Sequence, residues 1–392
     1  MEKPPIYLDN AASTRVHPEV SKMILQYMDE YYGNPHALHG AGVKAAEGMV
    51  WATEHVANVI HAEEHEILFT SGGTESNNLV LQGVSRTLKS KGNHIITSAI
   101  EHAAVLEVCK YLEENEQIEV TILDVDEEGL VDLEDLKSAI KETTILVSIM
   151  TANNEIGTIE PIKEIAEICE DHKILFHTDA VQAFGKIPID VREIPIDFLS
   201  FSSHKFHGPK GIGGLYLRDF AYFGKENPLI QPILFGGGQE RGLRSGTANV
   251  PGIVGMGKAC ELILKDPEEP VRQQQLRDQL INYILEEIPG AFLNGSQTAR
   301  LPNNVNFGVE GLNGESMLHL LASNGIYCST GSACSAHSKD YSHVLQAIGL
   351  KPPKINGCLR FSLSRFTTQE EIERTQTMLT EVVSSLRKIA KL

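Results

Sequence analysis

The chain has 392 residues, of which 42% are hydrophobic and 22% are charged, proportions that are ordinary for a soluble globular protein. Its 52 acidic residues exceed its 34 basic ones and give a formal net charge of -18, which argues against a surface for direct nucleic-acid binding. The N-terminus lacks an apolar signal segment, and no apolar run is long enough to span a membrane. We therefore expect a cytoplasmic protein that does not bind a membrane.

The first half of the chain alternates between helical and apolar segments. Helices are predicted from about His17, with Pro18 in the first turn, and over Ala41 to Ile60. Strands are predicted at the apolar runs Glu66 to Thr70, His94 to Ile100, Ile118 to Val125, Ile145 to Thr151, Ile174 to Ala180 and Asp197 to Ser203. Helical segments such as Leu133 to Ile140 and Ile162 to Cys169 separate most of these runs. The alternation predicts an α/β fold with a mostly parallel sheet, whose functional residues gather at the carboxyl ends of the strands.

The second half has a different pattern. Length alone predicts two or three domains, and a boundary is expected near residue 255. Beyond it, helices are predicted over Val271 to Ile288 and Glu315 to Ser323, and strands over Asn304 to Gly308 and Cys358 to Phe366. The last helix begins at Thr367 or Thr368, because a glutamate follows either threonine three residues later, as a capping box requires. These elements predict a smaller α+β domain.

Three strand ends carry candidate functional groups. The strand at Thr70 runs into Ser71-Gly72-Gly73-Thr74-Glu75-Ser76 and then into a helix, which is typical of a phosphate seat, although a plain helix cap explains it as well. Asp179 ends a buried strand and is placed to face a cationic nitrogen, or to cap a helix. Lys205 follows another buried strand, where desolvation lowers an amine's pKa and favours Schiff-base chemistry. The alternative is a surface turn, because Gly208-Pro209-Lys210-Gly211 comes next.

Together these three features fit pyridoxal phosphate. That cofactor needs a lysine for its aldehyde, an acid for its ring nitrogen and anion donors for its phosphate. Nicotinamide, ATP or a metal ion would not use all three. A metal site is not expected, because the spacing of His102, His177, His204 and His207 with carboxylates and thiols does not match a ligand set.

A series of motifs in fixed order resembles the NifS/IscS-type cysteine desulfurases over nearly the whole chain. The matching segments are Leu8-Asp9-Asn10-Ala11-Ala12, Asn34-Pro35, Thr70 to Ser76, Glu101-His102, Asn153-Asn154-Glu155-Ile156-Gly157, Asp179-Ala180-Val181-Gln182, Ser202-Ser203-His204-Lys205, Arg244-Ser245-Gly246-Thr247, Gly331-Ser332-Ala333-Cys334 and Arg360-Phe361-Ser362. The resemblance implies a fold-type I pyridoxal phosphate transferase with a seven-stranded sheet. We expect a large cofactor-binding domain over residues 15–255 and a small domain, formed by residues 1–14 and 256–392, that carries Cys334.

The resemblance also implies a role for each matching residue. Lys205 would form the Schiff base, Asp179 would hold the ring nitrogen, Gln182 would bond the ring's phenolic oxygen, and His102 would stack on the ring and transfer a proton. Gly73, Thr74, Ser202 and His204 match the phosphate donors, and Thr247 matches a threonine that reaches the other subunit's phosphate in a homodimer. Asn154 matches a contact to cofactor and substrate, Arg360 would grip the substrate carboxylate, and Asn10 lies at the same end.

Cys334 occupies the family's catalytic position, in a run of small and polar residues where a thiol is accessible. The six cysteines are too sparse for a disulfide framework, and Cys328 is kept as a minor rival nucleophile. The implied reaction converts L-cysteine to L-alanine and leaves a persulfide on Cys334. The alternatives are a selenocysteine lyase, another aminotransferase of this fold, or an inactive scaffold.

The spacing from Cys334 to Val344 and Leu345 follows the NifS/IscS branch, which favours direct transfer of the persulfide to an acceptor protein. The chain stops soon after the last helix, without the C-terminal extension through which housekeeping members meet their scaffold. The acceptor is therefore left open between an iron–sulfur cluster scaffold and a tRNA thiolation enzyme.

Overall fold

A computed structural model describes residues 4–218, 229–330 and 341–390 of the chain. The helices are α1 (Pro18–Asp29), α2 (Gly40–Val59), α3 (Gly73–Thr87), α4 (Ala103–Glu116), α5 (Leu133–Ala139), α6 (Ile162–His172), α7 (Val250–Lys265), α8 (Glu269–Glu287), α9 (Gly314–Ser323), α10 (His343–Ala347), α11 (Pro352–Ile355) and α12 (Gln369–Ala390). The strands are β1 (Ile6–Tyr7), β2 (Ile67–Thr70), β3 (His94–Ser98), β4 (Glu119–Leu123), β5 (Thr144–Ser148), β6 (Leu175–Asp179), β7 (Phe198–Ser202), β8 (Gly213–Leu217), β9 (Ala291–Leu293), β10 (Asn304–Val309), β11 (Ile326–Tyr327) and β12 (Cys358–Ser362).

A seven-stranded sheet in the order β2-β8-β7-β6-β5-β3-β4 forms the centre of the fold. All its strands run parallel except β8, which is antiparallel to both β2 and β7. Every residue of β3, β5 and β7 is buried, as expected for parallel strands that are covered on both faces. The predicted α/β class, the mostly parallel sheet and its number of strands are confirmed.

The strand β8 was not predicted from its own sequence, because it opens with two glycines, which are depleted in strands. The second of them has a packing reason. A Cβ atom on Gly214 would lie 2.2 Å from the ring of Phe201 on the neighbouring strand, so the ring occupies the space that a side chain would need.

The C-terminal part forms a smaller sheet. Strands β9, β10 and β12 are antiparallel in the order β12-β10-β9, and β1 pairs with β11 in a separate two-stranded ribbon. Their buried residues form a second apolar core with helices α8, α9 and α12. Of the two predicted caps for the last helix, Thr368 is the one used: its Oγ1 accepts from the Glu371 amide, and the Glu371 carboxylate accepts from the Thr368 amide.

Helix α7 runs without interruption through the predicted boundary at residue 255. Met256, Ala259 and Cys260, in its second half, belong to the same apolar core as the central sheet. The division into two domains stays a prediction, and we propose that the junction follows Lys265. Within the described ranges, no helix is both long and apolar enough to cross a membrane.

Candidate active site

A cavity of about 720 Å³ opens at the edge of the large sheet where β3, β5, β6 and β7 end. Its lining includes most of the residues singled out from the sequence: Gly73, Thr74, His102, Asn154, Asp179, Gln182, Ser202, His204, Lys205 and Arg360. Parallel strands bring their carboxyl ends to one edge, so residues far apart in the chain meet there. The predicted residues therefore lie together around one cavity, whereas an inactive scaffold would be expected to have a broken site.

The first turn of α3 forms one wall of the cavity. Gly73 is the first residue of this helix, whose terminal N–H groups lack partners within the helix. A Cβ atom at Gly73 would lie 2.5 Å from Val181 Cγ2 and 3.8 Å from Ser202 Cβ, so glycine allows the helix end to approach both neighbours. Backbone N–H groups with the hydroxyls of Thr74 and Ser202 beside them form a seat that suits a phosphate.

His204 stands next to this seat. Its imidazole lies 3.3 Å from Ser13 Oγ, and its backbone carbonyl accepts from the Thr14 amide and hydroxyl. Burial lowers the pKa of His204 to about 4, and repulsion by Lys205 adds to the effect. The ring is therefore neutral at pH 7, and it can donate one hydrogen bond without adding a charge.

Asp179 ends β6 in a buried position with its orientation fixed. Its Oδ2 accepts from Asn77 Nδ2 at 2.7 Å, and its Oδ1 accepts from the Val181 amide at 2.9 Å. Asp179 is 4% exposed, and a carboxylate keeps further lone pairs after these two bonds. A cationic ring nitrogen is a suitable partner for such a group, because a buried carboxylate requires compensation.

Lys205 lies in the short 3-10 turn that follows β7. Its Nζ donates to the carbonyl oxygens of Ala11 at 2.6 Å and Ala12 at 2.9 Å. Gln182 Nε2 donates to the same Ala11 carbonyl at 2.9 Å. One backbone carbonyl in the segment after β1 thus binds both Lys205 and Gln182. The family resemblance assigns these two side chains to the cofactor's aldehyde and phenolic oxygen.

His102 is the N-cap of α4, and its Nδ1 accepts from the Ala104 amide at 3.1 Å. This contact requires an unprotonated Nδ1, so the neutral ring carries its proton on Nε2. Burial lowers the pKa of His102, while nearby Asp179 raises it and Lys205 lowers it. A second proton could enter only at Nδ1, after the cap contact opens. Proton transfer by His102 stays a prediction, and it requires that the hydrogen bond from the Ala104 amide to Nδ1 first breaks.

Arg360 on β12 is 2% exposed and faces the cavity from the opposite side. One terminal nitrogen donates to the Asn154 carbonyl at 2.9 Å, and the other donates to Asp9 Oδ1 at 2.9 Å. Its Nε is buried and has no partner among the described residues. A guanidinium has five N–H donors, so three remain for an anionic ligand.

Three predicted site residues are not among those that line the cavity. Asn10 is buried, and its amide donates to the carbonyls of Tyr7 and Ser362, so it joins β1 to β12. Thr247 is exposed, near Arg244, whose guanidinium pairs with Glu75 in the first turn of α3. Cys334 lies outside the described residues, which break off at Thr330 and resume at Tyr341. The roles of all three stay predictions.

The structure adds residues to which the sequence analysis assigned no role. Asn77 lies one helical turn after Gly73, and this i, i+4 spacing could have indicated that both face the cavity. His343 also lines the cavity, with its Nε2 3.0 Å from the Glu101 carbonyl. Glu155 lines it as well and accepts from Ser342 Oγ at 2.6 Å.

Pyridoxal phosphate fits this donor set. The helix end suits the phosphate, the paired Asp179 suits the ring nitrogen, and Lys205 is the only lysine that lines the described part of the cavity. The fold and the cavity thus define a pyridoxal phosphate enzyme of fold-type I.

Comparison with known proteins gives the family. The family described as aminotransferase class-V matches residues 6–375. A cysteine desulfurase IscS from Methanosarcina thermophila is 49% identical over 392 residues, which cover 100% of this chain and 95% of that protein. A solved NifS-like protein superimposes with a TM-score of 0.89 at 40% identity and covers 97% of this chain and 100% of its own. A structure described as SspA in complex with cysteine gives a TM-score of 0.80 at 36% identity, covering 93% and 100% of the two chains. The chain belongs to the class-V aminotransferase family and, within it, to the NifS/IscS-type cysteine desulfurases.

The buried Glu101 beside His102 allows a test of the electrostatics at this edge. Glu101 is 0% exposed, its Oε1 accepts from Ser98 Oγ and the Met150 amide, and burial raises its pKa well above the usual range. The folded chain therefore keeps a proton there that the unfolded chain loses above about pH 4.3, so this group's contribution to stability falls as the pH rises. Glu101→Gln has no proton to lose. Its free energy of unfolding, relative to the wild type, is expected to rise by up to about 1.4 kcal/mol per pH unit between pH 5 and pH 7.

Urea unfolding of both proteins, followed by circular dichroism at several pH values, measures this difference. Any constant cost of the new amide cancels from the slope. Glu113→Gln, on the exposed side of α4, is the matched control and should show no such slope, because water surrounds that side chain. A Glu101→Gln difference that stays flat from pH 5 to pH 7 would show that Glu101 is ionised in the folded chain.

Proposed function

We propose that this cysteine desulfurase binds L-cysteine in the cavity described above, converts it to L-alanine and retains the sulfur as a persulfide on Cys334. The observation that carries the proposal is the convergence of Lys205, Asp179 and Arg360 on one cavity. They supply an amine for the cofactor, an acid for its ring and a cation for a substrate carboxylate. The cysteine in the related SspA structure supports L-cysteine as the ligand.

Pyridoxal phosphate, when bound, supplies an electron-withdrawing ring that stabilises negative charge on the substrate's α-carbon. Lys205 would hold its aldehyde carbon, and the seat at Gly73 and Thr74, with Ser202 and His204, would hold its phosphate. Asp179 would keep the ring nitrogen protonated, and Gln182 would donate to the phenolic oxygen. These assignments rest on the lining of the cavity together with the family resemblance.

Arg360 and Asn154 would orient the substrate. The Nε of Arg360 has no partner in the described part of the chain and, with the remaining N–H groups of the terminal nitrogens, can bind a carboxylate in a bidentate fork. The bonds from Arg360 to Asp9 and to the Asn154 carbonyl fix the plane of the guanidinium before the substrate arrives. Preorganisation of this kind reduces the entropy lost on binding.

The sulfur transfer balances without an external oxidant. The Cys334 thiolate attacks the sulfur of L-cysteine, so that an S–S bond forms while the Cβ–S bond breaks. Cβ keeps the electron pair of the broken bond and takes a proton, which yields L-alanine and a persulfide on the protein. His102 is proposed to move protons at the reacting carbon once its cap contact to Ala104 opens.

The positions that flank residues 331–340 support Cys334 as the sulfur acceptor. On one side, Ser329 exchanges two backbone hydrogen bonds with Arg360. On the other, Ser342 bonds to Glu155 and His343 lies against the Glu101 carbonyl. Cys334 is four residues from Thr330, and four residues span at most about 14 Å.

The proposed function is tested by release of sulfide from L-cysteine in the presence of a thiol reductant. Cys334→Ala should keep the visible absorption band of the bound cofactor but lose nearly all sulfide release, because the substrate sulfur then has no acceptor. Lys205→Ala should lose both the normal band and turnover. Cys328→Ala is the matched control and should keep most of the activity, since burial raises the pKa of Cys328 to about 12 and leaves it a thiol. Full desulfurase activity in Cys334→Ala would overturn the persulfide mechanism, and alanine formation without persulfide would favour another lyase or aminotransferase.

Arg360→Lys tests the substrate contact. A lysine keeps the charge but loses the planar fork, so KM for L-cysteine should rise about tenfold or more while the cofactor band is retained. Arg192→Lys, at a guanidinium that is 46% exposed and away from the cavity, is the control and should stay within about twofold of the wild type. An unchanged KM in Arg360→Lys would remove Arg360 from the substrate site.

We also propose that the protein acts as a homodimer in the cytoplasm and passes its persulfide sulfur to an acceptor protein, either an iron–sulfur scaffold or a tRNA thiolation enzyme. The exposed Thr247 would then complete the phosphate seat of the other subunit. Sedimentation of the holoenzyme is expected to give twice the chain mass of 43.1 kDa, and a single-chain mass would contradict the role of Thr247. Capture experiments with the persulfidated protein identify the acceptor, and recovery of no sulfur acceptor would count against direct transfer.

A further inference from the structure

A buried lysine contacts Gln182 in the loop that follows β6 but does not itself line the cavity. Lys186 is 9% exposed, and both hydrogen bonds that it makes among the described residues go to Gln182. Its Nζ donates to the Gln182 backbone carbonyl at 2.9 Å and to the side-chain Oε1 at 3.1 Å. Gln182 itself is 4% exposed and lines the cavity.

These contacts fix which end of the Gln182 amide faces which neighbour. An ammonium only donates hydrogen bonds, so the atom that faces Lys186 must be the amide oxygen. On the other side, the Ala11 carbonyl can only accept, so the atom that faces it must be Nε2. The two neighbours select the same orientation, and the amide nitrogen keeps a second N–H that neither of them uses.

The charge on Lys186 is not essential to the contact, because the Ala11 carbonyl selects the same amide orientation whether Lys186 is charged or neutral. Burial lowers the pKa of Lys186 to about 7, and the positive charges of Lys205 and Arg360 act in the same direction. A neutral amine still has two N–H groups, one for each Gln182 oxygen. The contact therefore survives the loss of a proton, and removal of the amine is what would release the amide.

We propose that Lys186 is a positioning residue that holds Gln182 as a hydrogen-bond donor towards the cavity. The cavity then selects a ligand oxygen that accepts at this point, such as a deprotonated phenolic oxygen. The inference rests on the proposed place of Gln182 beside the ring of pyridoxal phosphate. Because Gln182 Nε2 and Lys205 Nζ share the Ala11 carbonyl, Lys186 is connected to Lys205 through two hydrogen-bonded groups.

A double-mutant cycle on the holoenzyme separates positioning from a general structural effect. Lys186→Met replaces the amine by an apolar side chain of similar length. It should shift the absorption maximum of the bound cofactor and weaken retention of pyridoxal phosphate about two- to tenfold, the range expected for one misdirected neutral hydrogen bond. In a Gln182→Ala background, the same substitution should change neither quantity further, because the amide is already absent. Lys163→Met, on the exposed face of α6, is the matched control and should leave the spectrum unchanged.

Equal effects of Lys186→Met with and without the Gln182 side chain would overturn the inference, as would a Lys186→Met spectrum identical to that of the wild type. If Lys186→Met does not fold, Lys186→Arg replaces it in the cycle. An arginine also only donates, so the wild-type spectrum should be kept, and a shift as large as that of Gln182→Ala would overturn the inference. A wild-type protein that has no cofactor band or releases no sulfide contradicts the proposed function instead, and the two failures are thereby distinguished.

Discussion

The structure of the site depends on the backbone between Asp9 and Thr14, which connects the two sheets. On one side Asp9 pairs with Arg360, and the Ala11 amide donates to Ser362 Oγ on the same strand. On the other side the Ala11 carbonyl accepts from both Lys205 and Gln182, and Thr14 bonds to the His204 carbonyl. This short segment fixes the distance between the lysine of the large sheet and the arginine of the small one. The proposed Schiff-base lysine and the proposed carboxylate ligand are therefore both bound to one short stretch of backbone.

The second constraint is electrostatic. The chain is strongly acidic overall, with a formal net charge of -18, yet Lys205, Lys186 and Arg360 are gathered at or behind one cavity. Buried like charges repel one another, which is one reason that the pKa of Lys186 is lowered. A phosphate dianion and a substrate carboxylate relieve this repulsion when they bind. Because ligands that bind only the folded chain stabilise it, the cofactor contributes to the stability of the fold as well as to the chemistry.

Much of the architecture could be predicted because local signals agreed with the fold. The buried runs gave six strands of the sheet to within two residues at most ends, and the capping box marked the start of α12. The strand β8 escaped prediction because Gly214 is there to accommodate Phe201, which is a tertiary requirement without a local pattern. The continuity of α7 past residue 255 was missed because its apolar face is matched by α1 and α2, which are distant in sequence. The contacts of Asn77 with Asp179 and of Lys186 with Gln182 are likewise seen only in the folded chain: the i, i+4 spacing from Gly73 could have placed Asn77 at the cavity but could not name its partner, and Lys186 carried no local signal.

The strand β12 connects the proposed substrate contact with a residue that flanks the segment containing Cys334. Arg360 presents its side chain to the cavity, while its backbone N–H and carbonyl pair with Ser329, just before the segment that contains Cys334. At the far end of that segment, Ser342 is tied to Glu155, next to Asn154, whose carbonyl accepts from Arg360. Arg360 and Asn154, which are proposed to bind the substrate carboxylate, are therefore partners of Ser329 or neighbours of the partner of Ser342, the residues that flank the segment containing Cys334. A displacement of β12 would move the proposed carboxylate site and the backbone partner of Ser329 together, because Arg360 supplies both.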